Sequence, residues 1–299
     1  MTAIEINDLT KVYGSKTVVN KISLQVENGE IYGFLGRNGA GKSTFINMIT
    51  GIVQPTSGSF KLLNEESLDK IKHRIGVLPD YSTLYDSMSA IDHLKYFSKV
   101  NGRKISTSQC EVILERVGLI KDANKKVGKY SFGMKKKLGI AQSIVHDPDL
   151  IFLDEPTSGV DAESALLLQN LIVSLQEEGK TIFMTSHNLN EIEKICSKIA
   201  IMKKGSIFNE GTLRELKKQY TSNIKVKVKY SVKEDNLDNI KCAVEKFGSD
   251  ILIEKDEFSL SISSEDKIPA IIKVLTEGNI DIYRVTVKEP SLEEIFMGN

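Results

Sequence analysis

Cysteine is scarce: Cys110, Cys196 and Cys242 are odd in number, far apart and in no CxxC pairing. That excludes a disulfide framework and a cysteine zinc site, and it points to free thiols in a reducing compartment. Net charge is also lacking. Lys plus Arg and Asp plus Glu both count 40, so nothing global draws the chain to nucleic acid or anionic lipid. No nucleic-acid partner is expected. Long apolar runs are missing too: none approaches the ~20 residues of a spanning helix, and the opening MTAIEINDLT lacks the charged-then-apolar order of a secretory leader. The expectation is a soluble chain that owes any membrane role to a partner.

What is present has two styles. A length of 299 residues suits a large domain with a smaller appendage. The first part mixes antiparallel, half-exposed strand patterns (AIEINDLTKVYG, KISLQVENG) with short wholly apolar runs: IYGFL (31–35), LIFLDEP (150–156) and TIFMTSH (181–187). Runs apolar on both faces, alternating with amphipathic stretches, predict buried parallel strands in an α/β layer. Beyond residue 220 the pattern becomes strand, helix, two strands, helix, strand. Ile224, Val226, Val228 and Tyr230 alternate with Lys225, Lys227 and Lys229. Leu237, Ile240, Val244 and Phe247 recur at helical spacing with Gly248 placed as a stop, and Ile268, Ile271, Ile272 and Leu275 form a second stripe closed by Gly278. That order is ferredoxin-like. The division expected is 1–220 and 221–299, with a last short helix capped by Ser291 and Glu294. The first domain is not repeated, so one chain carries one such site.

The chemistry starts at Gly36-Arg37-Asn38-Gly39-Ala40-Gly41-Lys42-Ser43, a GxxxxGK[ST] run directly after an apolar strand and before a helix. Glycines let backbone N–H groups wrap phosphates, and the helix start adds partial positive charge. Lys42 is placed for the β and γ phosphates and Ser43 for magnesium, with Thr44 in the same first turn. A second apolar strand ends in Asp154 and Glu155. Asp154 suits the magnesium shell, and Glu155 is suited to polarise an attacking water.

Tyr130-Ser131-Phe132-Gly133-Met134 stands ahead of that strand and resembles the signature peptide of ABC ATPases, commonly LSGGQ. With Ser158-Gly159-Val160-Asp161 like the D-loop and His187 like the switch histidine, residues 1 to about 220 resemble an ABC nucleotide-binding domain. The resemblance implies a mixed-sheet core with antiparallel β and helical subdomains. It implies that Tyr13 stacks on adenine, and that Ser131 and Gly133 reach the ATP of a second ATPase subunit. It further implies that Asp161 shapes the shared interface and that His187 contacts the γ-phosphate and helps hold Glu155. Two departures stand out. Asp80 occupies the position where a magnesium-facing glutamine is usual, either as a replacement ligand or as a turn aspartate after Pro79, and Phe132 and Met134 replace glycine and glutamine in the signature. Lys135-Lys136-Lys137 reads as a solvated helix face. The loop and helix beyond Asp80 resemble the docking groove for a permease, with Leu84, Tyr85, Leu94 and Phe97 as lining candidates or as core.

Together with the appended tail ending EPSLEEIF, the chain resembles the ATPases of ABC-2 type exporters. That implies ATP and Mg2+ as cofactors, integral-membrane permease subunits as partners, a peripheral place on the cytoplasmic face of the cell membrane, and a drug, antimicrobial peptide or lipid as cargo. The alternative is a soluble ABC ATPase with a regulatory, ribosome- or chromosome-related role. Ribosome-acting members usually carry two ATPase copies, and chromosome-acting ones a long coiled coil; this sequence has neither.

Overall fold

The computed structural model describes residues 1–80, 84–219, 224–231, 237–254, 256–278 and 280–288. The chain forms two compact units that part between Thr212 and Leu213.

In the first unit, β1 (Thr2–Tyr13), β2 (Lys16–Glu27) and β4 (Ser57–Leu62) form an antiparallel sheet in the order β2-β1-β4. A six-stranded sheet carries β3 (Ile31–Gly36), β5 (Ile75–Leu78), β6 (Leu150–Asp154), β7 (Thr181–Ser186), β8 (Lys198–Lys203) and β9 (Ser206–Thr212). Its order is β5-β6-β7-β3-β8-β9, parallel except for the antiparallel edge strand β9. Every residue of β3, β6 and β7 is buried, which is why these strands read as unbroken apolar runs. Phe183 on β7 lies 5.5 Å from the Phe34 ring on β3 and 5.9 Å from that of Phe152 on β6. Phe34 stacks at 4.8 Å on Phe45 of α1 (Lys42–Ile49). Such pairs add about 0.5–1.5 kcal/mol each beyond area burial, and here they tie the phosphate-loop helix to three strands whose C-terminal ends open on one side.

Helices α3 (Ala90–Val100), α4 (Thr107–Arg116) and α5 (Phe132–Ile144) pack together. Of the groove candidates, Tyr85 is exposed whereas Leu94 is fully buried. Leu94 is therefore core and not lining: its α3 position turns inward with Ala90 and Ile91. None of the described helices is long and apolar enough to cross a membrane.

The second unit opens with α8 (Leu213–Gln219). It continues through β10 (Ile224–Ser231), α9 (Leu237–Val244), β11 (Ser249–Ile253), β12 (Glu257–Ile262), α10 (Ile268–Glu277) and β13 (Asp281–Lys288). The antiparallel order β11-β12-β10-β13 is the ferredoxin-like topology. Along β10 the apolar residues are buried and the three lysines exposed, as the alternation required. Gly248 does something other than stop a helix. Helix α9 ends at Val244, and a Cβ on Gly248 would stand 2.1 Å from the Ser261 carbonyl oxygen, so glycine is needed for close strand approach. Ser291 and Glu294 lie outside the described residues, as does the 220–221 boundary.

Candidate functional site

Between β3 and α1, Gly39 and Gly41 take φ values of 80° and 113°. A side chain at Gly41 would also meet the Val18 carbonyl oxygen at 2.6 Å, so the loop takes this close path only with glycine there. Lys42 is buried, and its Nζ donates to the Gly36 carbonyl at 2.7 Å. The same Nζ stands 3.2 Å from Glu155 Oε1.

Glu155 begins immediately beyond β6 at φ 51°, left-handed backbone that costs a non-glycine residue about 1–3 kcal/mol and clusters at functional sites. Thr185 at the end of β7 holds both acids: its Oγ1 accepts from the Glu155 N–H at 3.0 Å and donates to the Asp154 carboxylate. His187 Nδ1 lies 2.7 Å from Glu155 Oε2. A carboxylate only accepts, so Nδ1 carries the proton, and a neutral His187 offers only an acceptor at Nε2. Donating to a phosphate as well would take a second proton on the ring or release of Glu155. Glu155 Oε1 is buried, and the Lys42 ammonium is the group that faces it.

These residues share a cleft of about 710 Å³ lined by Asn38, Gly39, Gly41, Lys42, Ser43, Thr44, Asp80, Glu155 and His187. Arg37, Ala40, Lys16, Val18, Phe132 and Ser158 complete the lining. Gly36 and the buried Asp154 are not part of that lining, and Tyr13, Ser131, Gly133 and Asp161 also lie off it. Tyr13 ends β1 with an exposed ring under the Lys11 ammonium, 4.9 Å from its centroid. Ser131 caps α5 by accepting from Met134 N–H. Asp161 caps α6 (Ala162–Glu177) through the Ser164 N–H at 2.8 Å. The bonds from Ser164 hold the Asp161 carboxyl below its ordinary value. Phe132, largely exposed, leans on Gly159, where a Cβ would meet its ring at 2.5 Å.

Comparison with known proteins decides what this assembly is. Residues 19–158 match the ABC transporter family, and residues 211–298 match the C-terminal domain of DrrA1-3-like ATP-binding proteins. The bacitracin transport ATP-binding protein BcrA of Bacillus licheniformis is 35% identical over 300 residues, which cover 99% of this chain and 96% of that one. The chain belongs to the ATP-binding subunits of ABC transporters. The linearmycin resistance ATP-binding protein LnrL of Bacillus subtilis (strain 168) is 31% identical over 304 residues, covering 98% of this chain and 97% of its own. A solved ATP-binding subunit of an ABC transporter superposes with a TM-score of 0.67 at 26% identity, over 73% of this chain and 93% of that chain. A dimeric cassette bound to ADP and phosphate superposes at 0.66 and 23% identity, over 71% and 99%, and supports the fold alone.

In this ABC ATPase two carboxyls behind the cleft are buried. Burial raises the Asp154 carboxyl above its usual value, against hydrogen bonds from Thr185 and Ser43 that lower it. Burial likewise raises Glu191 of α7 (Leu189–Ile195), which accepts from Thr157 at 2.7 Å and Ser186 at 2.9 Å. Sequence reasoning missed Thr185 and Glu191. Thr185 was findable, since it ends the apolar run next to His187; nothing local marks Glu191. Lys136 corrects an expectation outright. Far from lying on a solvated helix face it is buried, because α5 turns it toward the end of β6, where Nζ donates to the Asp154 carbonyl at 3.3 Å. Burial pushes its ammonium below the usual lysine range, and the nearby acids, Asp80 foremost, oppose that.

Proposed function

We propose that this ATPase drives export: paired with a second ATPase subunit around two ATPs, it powers separate integral-membrane permease subunits from the cytoplasmic face of the cell membrane. The cargo class is a drug, antimicrobial peptide or lipid. Similarity to proteins named for bacitracin transport and linearmycin resistance spans nearly the whole of each chain, second unit included, and that supports the export reading.

The observation that carries the catalytic part is Glu155, held at a strained backbone with one oxygen beside the Lys42 ammonium and the other on His187 Nδ1. The residues fit a magnesium nucleotide: a glycine-built backbone cradle, a serine hydroxyl and a buried carboxylate are hard oxygen and N–H partners. Ser43 and Asp154 would hold magnesium with Asp80 near it, and a bound ion would supply neutralisation of the nucleotide's phosphate charge. Lys42, freed from Glu155, binds those phosphates. Glu155 then takes a proton from water, and His187 fixes its orientation through Nδ1. Tyr13 supplies a face for the adenine. Ser131, Gly133 and Asp161 serve the opposite subunit's nucleotide and the interface.

A tagged pull-down from detergent-solubilised membranes with an ATP analogue tests the partner. A stoichiometric multi-span protein is expected; ribosomes or chromatin in its place would sink the transport reading.

A further inference from the structure

An aspartate at position 80, where the family pattern has glutamine, and the lysine run after the signature meet in space. Lys136 Nζ stands 4.0 Å from Asp80 Oδ1, with the lysine side chain 5% exposed and the aspartate 37%. Asp154, Glu155 and Glu191 add negative charge on the same side. One residue earlier, Lys135 pairs with Asp86 at 2.9 Å. Helix α5 thus grips the loop that follows β5 at two acids, once in the open and once inside the protein. The outer pair is worth little. The inner one involves a buried cation, and a buried cation without a counter-charge is costly.

We propose that Lys136 is a positioning residue for the ATPase reaction, a built-in counter-cation that holds Asp80 and the Asp154 strand end together, so that the carboxylate at position 80 depends on it. The proposal rests on the reading of Asp154 and Asp80 as the metal side of the cleft. With a neutral amide at position 80, a lysine at 136 would keep Asp154, Glu155 and Glu191 and lose the first of its counter-charges. With a neutral residue at 136, Asp80 and Asp154 would repel each other and over-attract a divalent cation. Each residue therefore explains the other. Because α5 begins at the signature, the pair also links that peptide to the metal-facing loop within one chain.

The test uses the full chain and four forms: wild type, Asp80→Asn, Lys136→Gln and the double variant. The first readout is the Mn2+ concentration at which a fluorescent ADP analogue is half bound, a measure that needs no turnover. An opposite charge about 4–6 Å away moves a carboxyl's proton equilibrium by roughly 1–3 log units, and the same field acts on a divalent cation bound there. Lys136→Gln should therefore lower the midpoint about tenfold or more, and Asp80→Asn should raise it. The second readout is the melting temperature without nucleotide. Each single variant should melt lower than wild type, and the double variant should recover above the sum of the two losses, because it has neither a buried ammonium short of a counter-charge nor an unopposed Asp80. If both singles leave the Mn2+ midpoint unchanged, or the melting losses simply add, Lys136 is a packing residue and the proposal is overturned. If wild type shows no metal-dependent ADP binding at all, the metal-side assignment fails first and takes the proposal with it.

Discussion

The two units spend burial differently. Among the described residues, the buried Lys, His, Asp and Glu side chains, Lys42, His93, Lys136, His146, Asp154 and Glu191, all belong to the first unit, whereas the second buries only two polar side chains, the hydroxyl-bearing Tyr230 and Ser259. The second unit is pattern made solid: Val226, Val228, Leu260 and Ile262 fill a core from alternating strands, and its charges stay outside. The first unit breaks local rules at the C-terminal ends of β3, β6 and β7, with a left-handed glutamate, two raised carboxyls and a buried lysine. Such conflicts destabilise and persist where chemistry needs them. The difference locates turnover in the first unit and leaves the second free of catalytic polarity.

The widest gap between the units should appear with Glu155→Gln. Losing a general base costs about 100- to 10,000-fold in rate, while the isosteric amide still faces Lys42 and His187. Phosphate release should collapse and nucleotide titration should remain near wild type. Undiminished turnover would move the chemistry elsewhere. In the second unit the largest available effect is structural. Leu260→Ala empties a fully buried site and should remove about 2–5 kcal/mol of that unit's stability. Hydrogen exchange would show it in β10 and β12, with nucleotide affinity of the first unit unmoved. Loss of affinity would mean that the separation drawn here is false.

Much of this contrast was legible in the residues. Wholly apolar runs announced β3, β6 and β7 because parallel strands are covered on both faces, and alternation announced β10 because one face meets water. Residues 38–44 are contiguous, so one local turn brings Asn38, Gly39, Ala40, Gly41, Lys42, Ser43 and Thr44 to the cleft. Lys136 and Glu191 were not legible. Their burial depends on which way α5 and α7 face when packed, and neither a lysine run nor a helix-start glutamate carries that information. Gly248 misled for a related reason: glycine serves a helix stop and a close strand contact equally well, and only the Ser261 carbonyl decides between them. Leu94 was left open between groove and core, and α3 packing settles it as core.

The smallest effect is a pH dependence that only the first unit should show. His93 is fully buried, with Nε2 donating to Gln142 Oε1 at 2.7 Å, and His146 donates from Nε2 to the Ile75 carbonyl at 3.0 Å. Burial lowers both below the ordinary 6.5. The unfolded chain therefore binds more protons than the folded one once the pH drops beneath about 6.5, and stability falls from there toward the lower folded values; above 6.5 it is flat. Asp154 and Glu191, raised by burial, act with the opposite sign, since the folded state holds their protons more tightly as pH falls. Comparing urea midpoints of wild type and His93→Gln at pH 7.5 and 5.5 cancels those carboxyls. The variant should lose less stability on acidification, by at most about 1.4 kcal/mol for each pH unit separating the folded and unfolded values. An equal loss in both would show that His93 takes up its proton without leaving the core, and the polarity of the first unit would then be more tolerant of charge than its burial implies.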